Sequence, residues 1–370
     1  MRLGALVGVL AATVFVIADG RHAPLAAERK TPAHGPILSD CDGAIRELVI
    51  QYVPEAAGIV ETAYRRFLRA LPADVTVIVV CPDDDAFDDL RSRVGRVSCR
   101  LVAVCTGHAM TCWSRDRWLA MTPAWAGGPA VVISPLSEDA AAIWPERAGD
   151  SGIGDDLGSA LPESVISDRS PLIFDGGDFV ADAEAVFVTP RVARRNVGVT
   201  VSSVDELRRA LARTVRRRVV LLSDAPRHHA GMFMMPAGGR TAVVGDPSLA
   251  KRLLSAGEQR PIEDPDFSEE TQRQFDAAAG SCAAAGYRVI RMPVVPGRDG
   301  RTYLTYLNVI LDDRAGKRVV YMPVYEGADE LNGAAASAWE ELGFEVRRVD
   351  CTNTYKHFGS LRCLVNVLRR

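Results

Sequence analysis

The spacing of apolar residues along the chain switches repeatedly between a period of two and one near 3.6. The switch is most regular from residue 178 onward. "DFVAD" (178–182) and "AVFVTP" (185–190) flank Ala183-Glu184 and predict a hairpin. "SVDELRRALARTV" (203–215) follows with helical spacing and opens with the capping-box pair Ser203 and Glu206. The apolar run "RVVLLS" (218–223) closes the unit as a strand. The same order returns with "GMFMMP" (231–236), the turn "AGGR" and "TAVVG" (241–245). Helical segments 247–254 and 269–285 and the strand "YRVIRMP" (287–293) complete that copy. A third copy has "YLNVILDD" (306–313), the turn "RAGK", "RVVYMP" (318–323), a helix over 328–342 and the strand "FEVRRVD" (344–350). Gly286 and Gly343 stand where helix C-caps need a left-handed residue.

Earlier segments fit less cleanly. "EAAGIVETAYRRFLRAL" is amphipathic and runs into the strand "VTVIVV"; "DDAFDDLRSRV" then reads as a helix and "VSCRLVAV" as a strand. The stretch 126–170, rich in Gly, Pro, Asp and Ser, reads as a long loop or insertion with one short strand at "AVVIS". Three or more ββαβ-like units of similar length suit either a circular array or an ordinary α/β sheet with hairpins. In both, strand ends and turns carry the functional residues.

Charge adds little. The net charge of −3 gives no sign of nucleic-acid binding, and Arg213, Arg216, Arg217 and Arg218 suit a solvated helix terminus. The N-terminus changes the picture more. Arg2 precedes an uncharged apolar run over residues 3–18, ending in small residues before Asp19-Gly20. That is the pattern of a secretory signal peptide cleaved near Ala18, and the run is short for a membrane span. The expected layout is a signal peptide over 1–18, a linker over 19–40 and a single α/β domain over 41–370. The mature protein is then exported to a secreted or periplasmic location, with no membrane segment. Export makes the eight cysteines candidates for disulfides, although no CxxC pair or zinc-finger spacing occurs.

Four stretches carry candidate chemistry. "CWSRDRW" (112–118) sets Asp116 between two arginines. "FDGGDF" (174–179) places paired glycines between Asp175 and Asp178, where the backbone can turn sharply or approach something closely. "RHHAGMF" (227–233) holds His228 and His229, and strand alternation lets only one of them face a site. "GSLRC" (359–363) ends on Cys363 beside Arg362. Each has a plainer explanation alone, such as a surface ion pair, a turn or a buried thiol. As a set they fall at the junctions of the repeated units.

In this order, W-x-R-D, acid-Gly-Gly-Asp, His before an apolar strand and a terminal G-x-x-R-C, the chain resembles the guanidino-group-modifying enzymes, most closely agmatine deiminases and bacterial peptidyl-arginine deiminases. The likeness covers roughly residues 75–370. It implies an α/β fold that is a five-bladed propeller of ββαβ repeats, the pentein fold. It makes Cys363 the nucleophile, His229 the general acid and base, and Asp175 its orienting or substrate-binding partner. Asp116, Trp113 and Asp178 are expected to bind substrate. It implies a small guanidine or an arginyl peptide as substrate, with no metal or organic cofactor. A guanidinium suits bidentate carboxylates, and its resonance-stabilised carbon calls for a strong nucleophile such as a thiolate. The product would be a ureido compound plus ammonia, released by way of a thiouronium intermediate. The chain departs from the family at two places. Trp118-Leu119 replaces the usual Gly-Pro after W-x-R-D, and Gly231 stands where H-x-D supplies a guanidinium-binding acid. Loss of that acid suggests room for a bulkier substrate. An amidinotransferase, a dimethylargininase-like enzyme and a silent binding protein on the same fold remain alternatives.

Overall fold

Each parallel pairing in the fold follows a helix, as chain reach demands, whereas antiparallel pairings join both turn-linked strands and strands far apart in the chain. In the computed structural model, residues 33–136, 147–254 and 262–370 are described. The expected signal peptide and the linker up to residue 32 lie outside them.

The described strands form five sheets. In each, an antiparallel pair is followed by a helical segment and then a strand that returns parallel to the second of the pair. Val365–Arg369 pairs antiparallel with Glu47–Gln51, and Thr76–Cys81 returns parallel after the helix Ala57–Ala70. Leu119–Pro123, Ala130–Ser134 and Val165–Arg169 make the next unit. Phe179–Ala181, Ala185–Val188 and Arg218–Leu221 make the third. Met234–Pro236, Thr241–Asp246 and Arg288–Pro296 make the fourth. Ile310–Arg314, Lys317–Val324 and Glu345–Asp350 make the fifth. Arg100–Cys105, His34–Ile37 and Tyr303–Thr305 add edge strands to three of these sheets.

The three units expected from the pattern are thus present, with Gly286 and Gly343 at φ of +89° and +82° after their helices. The segment 126–170 differs from the expected loop. It contains the strands Ala130–Ser134 and Val165–Arg169 and the helix Ile153–Ala160. Its glycines serve packing. A Cβ on Gly154 would stand 2.4 Å from Ser134 Oγ, and one on Gly158 would stand 3.2 Å from Ser167. Glycine four residues apart lets this helix lie directly on its sheet. The fold also begins before residue 41, because His34–Ile37 pairs with Leu119–Pro123 and Asp40 is ion-paired to Arg362.

The core follows from amphipathic helices over apolar strands. Val60, Ala63, Tyr64, Phe67 and Leu68 form the buried stripe of one helix. Tyr64 Oη donates to the Gln51 and Leu364 carbonyls at 2.8 and 3.3 Å, fixing the backbone beside Cys363. Among the described residues, no helix is long and apolar enough to cross a membrane.

Two glycine substitutions should have opposite signs. Gly154→Val should lower stability by roughly 1–3 kcal/mol through overpacking. Gly333→Ala, in a helix where nothing lies within 4 Å of the new methyl, should raise it by about 0.5–1 kcal/mol. Urea midpoints at unchanged m-value check both.

Candidate active site

The first strand of each repeated unit is preceded, within five residues, by a side chain that contributes to one place. Asp116, Asp175, His229, Asn308 and Cys363 occupy these positions before strands that start at Leu119, Phe179, Met234, Ile310 and Val365. Asp116, Asp175, His229 and Cys363 line a cavity of about 560 Å³ together with Trp113. Asn308 lies behind the thiol. Its Oδ1 accepts from the Cys363 amide at 3.2 Å, and its carbonyl accepts from the Arg362 amide at 3.1 Å. Cys363 sits on the helical turn Leu361–Leu364, just ahead of the final strand rather than within it. It is buried and unbridged.

Glycines allow the close approaches. A Cβ on Gly176 would stand 2.3 Å from the Arg115 carbonyl, and one on Gly177 would stand 2.5 Å from the His229 ring. The Gly176 amide instead donates to the Asp116 carbonyl at 2.7 Å. Gly359 likewise makes room for Trp113, whose ring would be 2.3 Å from an added Cβ.

The two histidines divide their roles. His228 Nδ1 accepts the His229 amide at 2.7 Å and its Nε2 donates to the Arg301 carbonyl at 3.0 Å. Burial, helped by the charge of His229, pushes His228 down to about 3, so it stays neutral and acts as a strut. His229 Nε2 lies 3.3 Å from Asp175 Oδ2, and Nδ1 lies 3.7 Å from Asp116 Oδ1. Burial disfavours its charged form, but the Asp116 charge and hydrogen bonds to Asp175 and Cys363 outweigh burial and raise it to about 10. Burial likewise opposes ionisation of Asp175, yet the hydrogen bond and charge of His229, with Arg195 and Arg191, hold its carboxyl well below the usual range. His229 is therefore an imidazolium within reach of both a thiol and a carboxylate.

The carboxylates have partners that the sequence reading missed. Asp116 Oδ2 accepts from Arg147 at 2.6 Å rather than from its neighbours Arg115 and Arg117. Asp116 Oδ1 is buried with no hydrogen-bond partner among the described residues. Asp175 Oδ2 takes Arg191 at 2.9 Å and Arg195 at 3.4 Å. Arg191 and Arg195 stand four apart on the helix Pro190–Asn196, a spacing that puts both guanidinium groups on one face. Asp178, expected to bind substrate, is placed elsewhere. It is fully buried and does not line the cavity. Its oxygens accept from Thr189 Oγ1 at 2.7 Å and from the Asp175 amide at 3.1 Å, so it shapes the Gly-Gly turn.

Gly231 does not leave the expected room. A Cβ there would stand 3.1 Å from Arg362 Nη1 and 3.2 Å from Asn308 Nδ2. Arg362 itself is buried, held by Asp40 at 2.8 Å and by the Phe179 carbonyl at 2.9 Å. The place of the missing acid is filled by protein. Among the described residues, no group of three or more His, Cys, Asp or Glu side chains could hold a metal ion.

His229 should remain protonated until the pH approaches 10, and Asp116→Asn should bring its titration back toward 6.5, both read by NMR of the labelled imidazole. Because the folded value is raised, the linked stability is complete below about 6.5 and is lost as pH rises through about 10. Stability that rises with pH across this window would contradict the assignment.

No protein-family profile and no curated protein matches the chain. Solved structures do match its fold. An agmatine deiminase of C. jejuni, with one cysteine replaced by serine and substrate bound, gives a TM-score of 0.67 at 12% identity, covering 90% of this chain and 96% of that one. A provisionally assigned peptidyl-arginine deiminase gives 0.68 at 13%, covering 92% and 100%. The provisionally assigned arginine deiminase of Porphyromonas gingivalis gives 0.65 at 20%, covering 90% and 98%. The chain therefore has the fold shared by the agmatine deiminases and related guanidino-modifying enzymes.

Proposed function

We propose that this protein is a cysteine-dependent hydrolase of guanidines, releasing ammonia and leaving a ureido product. The observation that carries this reading is one cavity lined by Cys363, His229, Asp175 and Asp116, with His229 3.3 Å from Asp175 and 3.7 Å from Asp116. In this reading the five sheets are the blades of a propeller around the cavity, and the apolar run 3–18 directs export.

The chemistry follows from these positions. The Asp116 carboxylate accepts an N–H of the substrate guanidinium in place of Arg147. The Cys363 thiolate attacks the central carbon, forming a C–S bond and a tetrahedral adduct. The His229 imidazolium gives its proton to the leaving nitrogen, the C–N bond breaks and ammonia departs. The neutral imidazole then takes a proton from water as its oxygen attacks the thiouronium carbon. The C–S bond breaks, the hydroxyl proton passes to solvent, the ureido product leaves and the thiolate and imidazolium are restored. Asp175 keeps the imidazole oriented throughout.

Charge favours one kind of substrate. Four arginines, Arg147, Arg191, Arg227 and Arg301, line the cavity against two aspartates. A dicationic amine such as agmatine meets repulsion there, whereas a guanidine with a carboxylate elsewhere in the molecule finds complementary charge. Two features favour a second reading, a silent binding protein. Asp116 and Asp175 are already ion-paired with arginines, and position 231 supplies no acid.

Ammonia release from arginine, agmatine and arginyl peptides under reducing conditions separates these readings. Turnover should be present, higher in kcat/KM for carboxylate-bearing substrates than for agmatine, and reduced at least on the order of 10⁴-fold by Cys363→Ala. Release with none of them supports the silent protein. Arg147→Gln, which frees Asp116, should lower KM by roughly fivefold, the equivalent of about 1 kcal/mol for one ion pair, with kcat little changed.

A further inference from the structure

Two cysteines outside the cavity stand side by side. Cys81 ends the strand Thr76–Cys81, Cys105 ends its parallel neighbour Arg100–Cys105, and the two are register partners. Neighbouring strands run about 4.8 Å apart, and register partners send their side chains to the same face of the sheet. That separation falls within the roughly 4.4–6.8 Å between Cα atoms that a disulfide spans. Both residues are the last of their strands, and beyond them the Thr106 amide donates to the Cys81 carbonyl and the Gly107 amide to the Pro82 carbonyl, each at 3.0 Å. Cys81 is fully buried while Cys105 is exposed, its Sγ 3.5 Å from Asp84 Oδ1. One thiol is open to a reagent and the other waits behind it.

The strand tips lead somewhere useful. Pro82 and Asp83 beyond one, and Gly107 to Trp113 beyond the other, line a second cavity of about 760 Å³. It shares Ile59, Thr111 and Trp113 with the cavity that holds Cys363. A covalent tie at residues 81 and 105 would therefore anchor the root of the segment that delivers Trp113 and Asp116.

We propose that Cys81 and Cys105 are a redox pair that closes reversibly to a disulfide at this root. The oxidant is a disulfide carrier of the class of oxidised glutathione or a protein disulfide. The Cys105 thiolate attacks one carrier sulfur, the carrier S–S bond breaks, and one carrier thiolate leaves. The Cys81 thiolate then attacks Cys105 Sγ, the mixed S–S bond breaks, and the second carrier thiolate leaves. The protein pair gives up two electrons and two protons, and the carrier ends as two thiols. Burial, with Cys105 and the acids Asp83 and Asp84 adding to it, pushes Cys81 up to about 12, which makes the exchange slow at neutral pH.

The test uses the full chain, incubated with excess oxidised over reduced glutathione, quenched with an alkylating reagent and digested without reduction. The peptides bearing Cys81 and Cys105 should appear joined, lighter by two hydrogens than the separate pair and separated by dithiothreitol. The oxidised protein should melt at a higher temperature than the reduced one, a difference that Cys105→Ser abolishes. The proposal is overturned if Cys105 ends alkylated or carrying glutathione while Cys81 is a free thiol, or if either cysteine links to a different partner.

Discussion

Closure of the chain onto itself is the constraint on which the site depends. Val365–Arg369 pairs with Glu47–Gln51, so the last strand completes the sheet that the early strands begin. Cys363 enters the cavity only because that pairing fixes the turn ahead of it. The contacts around it come from distant parts of the chain. The Arg115 amide donates to the Cys363 carbonyl at 3.2 Å, Asn308 holds the Cys363 amide, and Asp40 holds Arg362. Loss of the terminal strand would leave the turn that carries the thiol unanchored and expose the edge of Glu47–Gln51 together.

The cavity is a balance of buried charges rather than a lone reactive group. Unpaired, a buried carboxylate or imidazolium would shed its charge by shifting its pKa. Here each charge is answered: His229 by Asp175 and Asp116, those two by Arg191 and Arg147, and Arg362 by Asp40. This balance explains why His229 can be cationic beside a thiol at neutral pH. It also means that a substrate guanidinium must compete with Arg147 for Asp116.

Much of this was legible in the sequence, for a physical reason. Hairpin turns, C-cap glycines and helical periodicity are local signals; three units showed the turns and the periodicity, and two of them the C-cap glycine. Gly176 and Gly177 signalled close approach, and they are pressed against the Asp116 loop and His229. What escaped notice depended on long-range packing. Gly154 and Gly158 read as loop residues because composition cannot show that a helix lies against Ser134 and Ser167. Asp178 read as a substrate-binding residue, yet its neighbours Thr189 and Arg191 turn it inward. Gly231 reads as empty space in the sequence because nothing local shows that Arg362 fills the place beside it. Asn308 was legible in principle, since it stands at the junction ahead of Ile310–Arg314, equivalent to the four junctions that carry Asp116, Asp175, His229 and Cys363.

The central claim is that Cys363, prepared by His229, forms a covalent bond to a guanidine carbon. Rapid acid quenching during turnover, followed by peptide mass spectrometry across a panel of arginyl compounds, tests it most directly. The account predicts a thiouronium adduct on the peptide containing Cys363 during turnover, and its loss when His229 is replaced by a residue that cannot protonate the leaving nitrogen. Turnover with Cys363 unmodified at every quench time, or an adduct carried by another cysteine, would contradict it.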